Sequence, residues 1–119
     1  MKRKELGDLG EKSAADYLRK RGYRIHERNY RCRAGEIDIV AQDRDCLVFV
    51  EVRTRTGPAF GTPEESIGAV KKGRLASAAL TYLQTHRKLP PHWRFDVVAI
   101  EVGPGGETER IELIRDAFG

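Results

Sequence analysis

The stretch "AGEIDIVAQDRDCLVFVEVRTR", residues 34–55, contains two strand-like apolar runs joined by a polar turn. The runs cover about residues 36–42 and 46–53, and "DRD" at 43–45 suits a tight hairpin turn. We therefore expect two antiparallel strands that are neighbours in one sheet. Each run also carries acid, Glu36 and Asp38 in the first and Glu51 in the second, where a buried strand is usually apolar.

The segments on either side of this hairpin alternate between helical and strand-like patterns. Residues 5–21, "ELGDLGEKSAADYLRKR", have the apolar spacing of a helix, and Gly22 stands where it would stop. "YRIHERNYR" at 23–31 and "WRFDVVAIEV" at 93–102 are typical of strands, and "RIELIRDAF" at 110–118 predicts a short last strand or an extended tail. The predicted class is α/β, a central mixed β-sheet flanked by helices in the order α-β-β-β-α-β-(β).

The second helix is expected to follow the loop "TGPAFGTPEES" and to run to about His86. Thr62 resembles its N-cap, Pro63 a first-turn proline and Glu65 a capping-box acid. Gly73 weakens the pattern locally. The residues expected to face the core are Ile67, Val70, Leu75, Ala78, Ala79, Tyr82 and Leu83.

Length and composition favour one globular domain over residues 1–119. The chain is 39% hydrophobic and 34% charged, and no apolar run approaches the roughly 20 residues that span a bilayer. The start, "MKRKELGDLGEK", lacks the apolar core of a signal peptide, so we expect a cytoplasmic protein without membrane contact. Cys32 and Cys46 have no paired metal-ligand spacing, which argues against a zinc site or a disulfide framework.

The charge balance favours a polyanionic partner. The formal net charge is +4 and the pI is near 9.3, as in many proteins that contact nucleic acid. Solvated Lys and Arg faces give the same balance, so charge alone leaves both interpretations open.

The acids in the hairpin point to a metal site. Side chains alternate across a strand, so Glu36 and Asp38 should share one face, and Glu51 and Arg53 one face of the next strand. Burying carboxylates together costs several kcal/mol unless a cation or firm hydrogen bonds compensate. Oxygen ligands without accompanying His or Cys indicate Mg²⁺ or Mn²⁺.

The first helix supplies a third acid. Glu11 lies within about 20° of Leu18 on the helical wheel, so it should face inward, and Gly7 and Gly10 would let the helix lie close to the sheet. Each acid taken singly is more often a surface or sheet-edge residue. The order of an inward Glu, an Asp, twelve residues and then Glu-x-basic favours a site.

The chain resembles the YraN-type family, a bacterial group with a restriction-endonuclease-like fold. The resemblance rests on "GEKSAADYLRKRGY", "ERNYR", "GEIDIVAQD", "VFVEVRTR", "FGTPEESI", "KKGRL", "RFDVVAI" and "DAF". It implies the fold of PD-(D/E)XK nucleases, similar to archaeal Holliday junction resolvases. Carried over by position, Glu11 is the helix-one acid, Asp38 and Glu51 are metal ligands, and Arg53 is the basic member of the motif.

Arg53 departs from that motif, which carries Lys. Arginine stays protonated, so it can stabilise transition-state charge but cannot act as a base. Lys71 and Lys72 are candidates for the missing amine, although an exposed Lys pair needs no such role. Ser66 could touch a phosphate or satisfy a helix end. The residues expected to neutralise DNA phosphates are Arg31, Arg33, Arg55, Lys71, Lys72 and Arg74.

Three functions follow as hypotheses. The first is a metal-dependent nuclease acting on DNA, branched DNA included, with a two-fold homodimer placing two sites on one substrate. The second is a nucleic-acid-binding module of the same fold without cleavage, and the third is a structural or protein-interaction domain. Trp93, Tyr30 and Phe60 could stack on bases, but lone aromatics in such segments are more often core residues.

Overall fold

The computed structural model describes residues 2–56 and 64–118. Its elements follow the predicted order, with a fifth strand where a strand or tail was expected. They are α1 (Arg3–Lys20), β1 (Arg24–Cys32), β2 (Gly35–Asp43), β3 (Cys46–Thr56), a 3₁₀ helix (Glu64–Ser66), α2 (Ala69–Thr85), β4 (His92–Val102) and β5 (Thr108–Ile114).

The five strands form one mixed sheet in the order β1-β2-β3-β4-β5. The predicted hairpin is confirmed: β2 and β3 pair antiparallel from Ile39↔Val50 to Asp43↔Cys46, around a turn in which Arg44 has φ 57°. β3 and β4 pair in parallel, and the chain between them crosses over through α2. The sheet is therefore mixed, as expected for an α/β fold.

The two helices cover opposite faces of the sheet. On one face, Ala14, Ala15 and Leu18 of α1 pack with Ile39, Val48 and Val50. On the other face the cluster comprises Tyr30, Ile37, Val40, Leu47, Phe49, Leu75, Ala78, Ala79 and Tyr82. Because neighbouring strand residues point to opposite faces, Glu51 and Phe49 lie on the α2 side of β3, whereas Val50 lies on the α1 side.

The side-chain alternation of β2 breaks at Asp38. Ile37 packs on the α2 side, yet Ile39, two residues later, packs on the α1 side. The pairing with β3 begins only at Ile39, and Asn29 on the neighbouring β1 has φ 55°. A regular strand would put Ile37 and Ile39 on one face, so the backbone turns here, and Asp38 sits beyond the end of the β2–β3 ladder.

The start of the second helix was predicted wrongly. α2 begins at Ala69 with Gly68 as N-cap, and Glu65 lies in the preceding 3₁₀ helix; Thr62 and Pro63 fall outside the described residues. Val70 is 72% exposed instead of facing the core. At 100° per residue it lies about 140° from Leu75 on the helical wheel, so it points away from the sheet.

A buried polar cluster fixes the start of β4 to its neighbours. Asp96 is fully buried and accepts hydrogen bonds from the Tyr23 hydroxyl (3.0 Å), Arg94 Nε (2.9 Å) and the Asp116 N–H (3.0 Å). Arg94 also reaches Asp43 at 3.1 Å. These bonds connect β2, β4, the segment between α1 and β1, and the C-terminal turn.

Two further expectations concern the cysteines and the membrane. Cys32 and Cys46, for which the sequence predicted no disulfide, are free thiols. Over residues 2–56 and 64–118, neither helix is long and apolar enough to cross a membrane.

The close approach of α1 to the sheet depends on Gly10. A Cβ at this position would lie 2.0 Å from Thr54 Oγ1 and 3.0 Å from Thr54 Cβ. We expect Gly10→Ala to lower the free energy of unfolding by about 1–3 kcal/mol through overpacking, measured by urea denaturation.

Gly7→Ala on the same helix is the matched control. No described heavy atom lies within 4 Å of its Cβ position, so the substitution should raise stability by up to about 1 kcal/mol through helix propensity. If both variants were stabilised alike, the close helix–sheet contact at Gly10 would be wrong.

Candidate active site

The candidate site centres on Glu51, a carboxylate buried in the middle of the sheet. Its side chain is 3% exposed and projects from β3 toward α2. Oε2 lies 3.5 Å from Arg53 Nη1 and 3.6 Å from Lys71 Nζ. Oε1 has no hydrogen-bond partner among the described residues. Buried carboxylate oxygens are normally satisfied, so this oxygen marks a place for a ligand or a proton.

Asp38 is held beside Glu51 by the backbone of β3. Its Oδ2 accepts a hydrogen bond of 2.8 Å from the Val52 N–H, at the point where the β2–β3 ladder has ended. Because the regular β2–β3 pairing has ended here, the Asp38 carboxylate, and not a backbone carbonyl of β2, accepts the hydrogen bond from the Val52 N–H. Asp38 is brought next to Glu51 as the sequence predicted.

The two carboxyl groups affect each other strongly. Burial is the largest cause that raises the pKa of Glu51 to about 8, and repulsion from Asp38 is the second. The positive charges of Lys71 and Arg53 oppose this shift and lower the pKa. The pair therefore favours sharing a proton or a cation near neutral pH.

Arg53 connects the buried acid to the 3₁₀ helix. Its Nε and Nη2 donate hydrogen bonds of 3.1 Å and 2.8 Å to Ser66 Oγ, while Nη1 faces Glu51. Arg53 also lines a groove of about 450 Å³ with Arg3 and Gly7 of α1. The basic member of the predicted motif thus stands at the edge of the site, together with Ser66.

An ion-pair network from β5 anchors the 3₁₀ helix. Arg110 lies 3.2 Å from Glu64 and 3.8 Å from Glu101, and it also pairs with Glu112. Arg55 reaches Glu101 at 3.5 Å. Arg55, predicted to contact phosphate, is thus part of the network that positions the segment carrying Ser66.

Glu11 faces inward from α1 as predicted, but it is paired with Arg28. The residue is 8% exposed, and Arg28 Nε donates a hydrogen bond of 3.1 Å to its Oε1. Burial is the largest cause that raises the Glu11 pKa, Arg28 opposes the shift, and the charge of Asp38 adds to it. Glu11 is therefore within electrostatic reach of Asp38.

A complete shell of three protein ligands is not assembled. Across the described ranges, no three His, Cys, Asp or Glu side chains are grouped so that they could hold one metal ion. Mg²⁺ in proteins is commonly held by one or two carboxylates and completes its shell with waters and substrate phosphate. The pair of Asp38 and Glu51, with one buried oxygen lacking a donor, fits such an ion.

The predicted phosphate-binding residues are divided between different surfaces. Arg31, Lys71 and Arg74 line one groove of about 260 Å³, which also includes Glu36. Glu36 is exposed and lies 3.4 Å from Arg31, so it belongs to the surface and not to the acid pair. Arg33 is exposed in the β1–β2 turn, and Lys72 points elsewhere, 5.3 Å above the Phe118 ring.

Sequence reasoning missed the residues that position the site from other strands. Arg28 comes from β1 and Arg110 from β5, and both hold acids of distant segments. No local pattern marks such residues, because sheet pairing brings them to the site. Lys71 was considered only as a second-rank candidate, and the structure places its amine against Glu51.

Comparison with known proteins shows the family. Residues 10–100 match the description "Uncharacterised protein family UPF0102". The chain belongs to this family. A UPF0102 protein of Syntrophus aciditrophicus is 53% identical over 94% of this chain and 87% of its own length. One from Symbiobacterium thermophilum is 50% identical over 97% of both chains, and one from Pelotomaculum thermopropionicum is 48% identical over 98% of this chain and 97% of its own. The predicted YraN-type resemblance is confirmed.

The raised pKa of Glu51 predicts a pH-dependent stability difference. The folded-state pKa lies above the unfolded value of 4.5, so the folded protein binds the extra proton and loses stability as the pH rises from 4.5 to about 8. A pKa difference of one corresponds to about 1.4 kcal/mol of unfolding free energy. Without divalent metal, Glu51→Gln should therefore gain stability relative to the wild type as the pH rises, measured by urea denaturation at pH 5 and pH 8.

Glu36→Gln is the control for an exposed acid in the same hairpin. Its stability should follow the wild type at both pH values. A Glu51→Gln variant that also follows the wild type would show that Glu51 ionises normally in the folded protein.

Proposed function

We propose that this chain is a metal-dependent nuclease that hydrolyses phosphodiester bonds of DNA in the cytoplasm. The single observation that carries the proposal is the buried Glu51 carboxylate, which keeps one oxygen without a partner beside Asp38 and has basic residues on its other side. The five-stranded mixed sheet with α1 and α2 on its faces agrees with a restriction-endonuclease-like fold.

Asp38 and Glu51 would hold Mg²⁺ or Mn²⁺, with Glu11 joining directly or through a water molecule. A divalent ion at such a site lowers the pKa of bound water and polarises the scissile phosphate. The ion would also offset the repulsion between the two carboxylates, which comes second to burial among the causes that raise the Glu51 pKa. Glu11 would have to loosen its bond to Arg28 to join the shell directly.

Lys71 and Arg53 would together perform the two roles of the motif lysine, which are to orient the attacking water and to stabilise negative charge. Lys71 Nζ, 3.6 Å from Glu51 Oε2, is placed to orient a water molecule beside the acid pair. Arg53 stays protonated, so its N–H groups would stabilise negative charge on the phosphate as the bond breaks. Ser66, bonded to Arg53, would keep the guanidinium in position.

The surface beside the site suits the DNA backbone. Arg31, Lys71 and Arg74 line one groove next to the acid pair, and the whole chain has a formal net charge of +4. Such contacts neutralise phosphates without reading sequence. A homodimer with two sites would suit a branched or double-stranded substrate.

A second candidate function is a nucleic-acid-binding module without cleavage. Arg53 favours it, because the residue at the motif position cannot take up a proton. This function predicts DNA binding that weakens with salt and persists without metal. A purely structural role is less well supported, because internal ion pairs would be expected to satisfy both oxygens of Glu51.

The decisive experiment measures Mg²⁺ and Mn²⁺ binding by calorimetry and then incubates the protein with branched and linear DNA. We expect the wild type to bind the ion and to cleave DNA only when it is present. The double variant Asp38→Asn with Glu51→Gln should lose both properties, because its two side chains are neutral amides.

Asp45→Asn is the matched control, since it removes an exposed acid from the turn of the same hairpin, outside the site and its groove. It should keep metal binding and cleavage. Absence of metal binding by the wild type, even with DNA present, would contradict the nuclease and leave the binding module.

Lys71 has its own test. Lys71→Met should reduce the cleavage rate by about 10²-fold or more, the scale of a lost proton-transfer or orienting group, while DNA affinity falls less than about tenfold. Lys20→Met, at the end of α1, removes the same charge elsewhere and should leave the rate unchanged. Equal rates for both variants would exclude Lys71 from the reaction.

A further inference from the structure

A groove with aromatic walls lies on the α2 side of the sheet and is not used by the proposed chemistry. It has a volume of about 490 Å³, within the range of roughly 300–1,000 Å³ that is typical of ligand pockets. The side chains and backbone that form it come from the start of α2, the start of β4 and the C-terminal turn. The lining residues used below are Lys72, Gly73, Trp93, Phe95 and Phe118.

We propose that this groove binds an unpaired nucleobase of a single strand whose phosphates pass the Asp38–Glu51 pair. The proposal rests on the proposed function and narrows its substrate to DNA with unpaired bases, as in single strands and at branch points. A base inside a duplex is stacked and paired on both sides and cannot enter such a groove.

The aromatic rings form a continuous series that ends at the surface. Phe95 lies 5.8 Å from Phe49, 5.7 Å from Trp93 and 5.5 Å from Phe118, measured between ring centroids. Trp93 is 44% exposed, although the sequence favoured a core position for it. Its aromatic neighbours are the buried Phe49 and the half-buried Phe95. A large aromatic ring supported in this way and open to solvent is a stacking platform for a base.

The groove and the acid pair are connected through neighbouring residues of β3 and α2. Phe49, which contacts the groove residues Trp93 and Phe95, lies two positions before Glu51 on the same face of β3. On α2, Lys71 pairs with Glu51 and the next residue, Lys72, lies over Phe118. One nucleotide could therefore place its phosphate at Lys71 and its base beyond Lys72.

Two cations, Lys72 and Arg94, and one exposed acid, Asp116, line the groove. Lys72 Nζ sits 5.3 Å from the centroid of the Phe118 ring, so a cation stands directly over an aromatic wall. Such a pairing of base-stacking rings with a backbone-neutralising cation is typical of sites for single-stranded nucleic acid. An apolar peptide would gain nothing from the lysine.

Gly73 keeps one side of the groove open. It lies inside α2, where glycine is less favourable than alanine. No described heavy atom lies within 4 Å of the position that its Cβ would take. Packing within the described chain therefore does not require glycine here, whereas a ligand in the groove would.

The test uses Trp93 as the probe, since it is the single tryptophan of the chain. The full-length protein is titrated in EDTA and low salt with oligothymidylate, with an abasic oligonucleotide of the same length and with a duplex. Stacking on Trp93 should quench its fluorescence with oligothymidylate only. The abasic strand has the same phosphates, so it should bind without quenching.

Variants then measure the contribution of the groove through the anisotropy of a labelled strand. Trp93→Ala and Gly73→Leu should each weaken oligothymidylate binding about tenfold, and Trp93→Phe much less. Binding of the abasic strand should not change. Leu80→Ala removes a side chain that is 52% exposed on α2 and does not line the groove, so it serves as the control for folding and surface effects.

Two results would overturn the proposal. One is equal loss of affinity for oligothymidylate and for the abasic strand in Trp93→Ala. The other is Trp93 fluorescence that changes with protein concentration and not with oligothymidylate, which would mean that a second copy covers the groove.

Metal-dependent cleavage of DNA is measured separately from quenching, so that the nuclease and the groove are tested independently. Quenching by oligothymidylate without cleavage by any metal-loaded protein would reject the nuclease and keep the groove. Metal-dependent cleavage without quenching would reject the groove and keep the nuclease.

Discussion

The parallel ladder between β3 and β4 is the constraint on which the other features depend. It joins eleven residue pairs, from Cys46↔His92 to Thr56↔Val102. Because parallel strands need a crossover, the chain must pass over one face of the sheet, and α2 lies there. The register then places Glu51 beside Val97 on the α2 side, and it places Trp93 and Phe95 beside Leu47 and Phe49, earlier along the same face. The β3–β4 pairing thus positions Glu51 and the aromatic groove, while the end of the β2–β3 ladder brings Asp38 to Glu51.

Two buried acids of the same sheet, Asp96 and Glu51, differ in how completely their carboxylate oxygens are hydrogen-bonded. Asp96 is fully buried and accepts hydrogen bonds from a tyrosine, an arginine and a backbone N–H, so its role is to stabilise the fold. Glu51 is buried almost as deeply, yet one oxygen has no donor among the described residues. An unsatisfied buried polar group costs stability, so packing within the described residues does not account for this oxygen.

Local patterns predicted the elements well and the connections between them poorly. Alternation gave the hairpin, and helical spacing gave the inward direction of Glu11, because both depend on periodicity within one segment. The start of α2 was placed too early, since capping residues also occur in other turns. The break in the side-chain alternation of β2 at Asp38 and the pairing of Glu11 with Arg28 depend on neighbouring strands. The pattern of a single segment does not encode such contacts.

Arg53 stands where the nuclease motif that the sequence resembles carries lysine, and the structure brings a lysine to the same acid from another element. The strand position is occupied by a permanent cation that pairs with Glu51 and is held by Ser66. The neighbouring helix brings Lys71 to the same carboxylate oxygen, 3.6 Å away. Glu51 therefore has both an amine, from Lys71, and a guanidinium, from Arg53, within 4 Å. Since Lys72 follows directly and lies over Phe118, the same helical turn that supplies the amine also positions a cation at the groove.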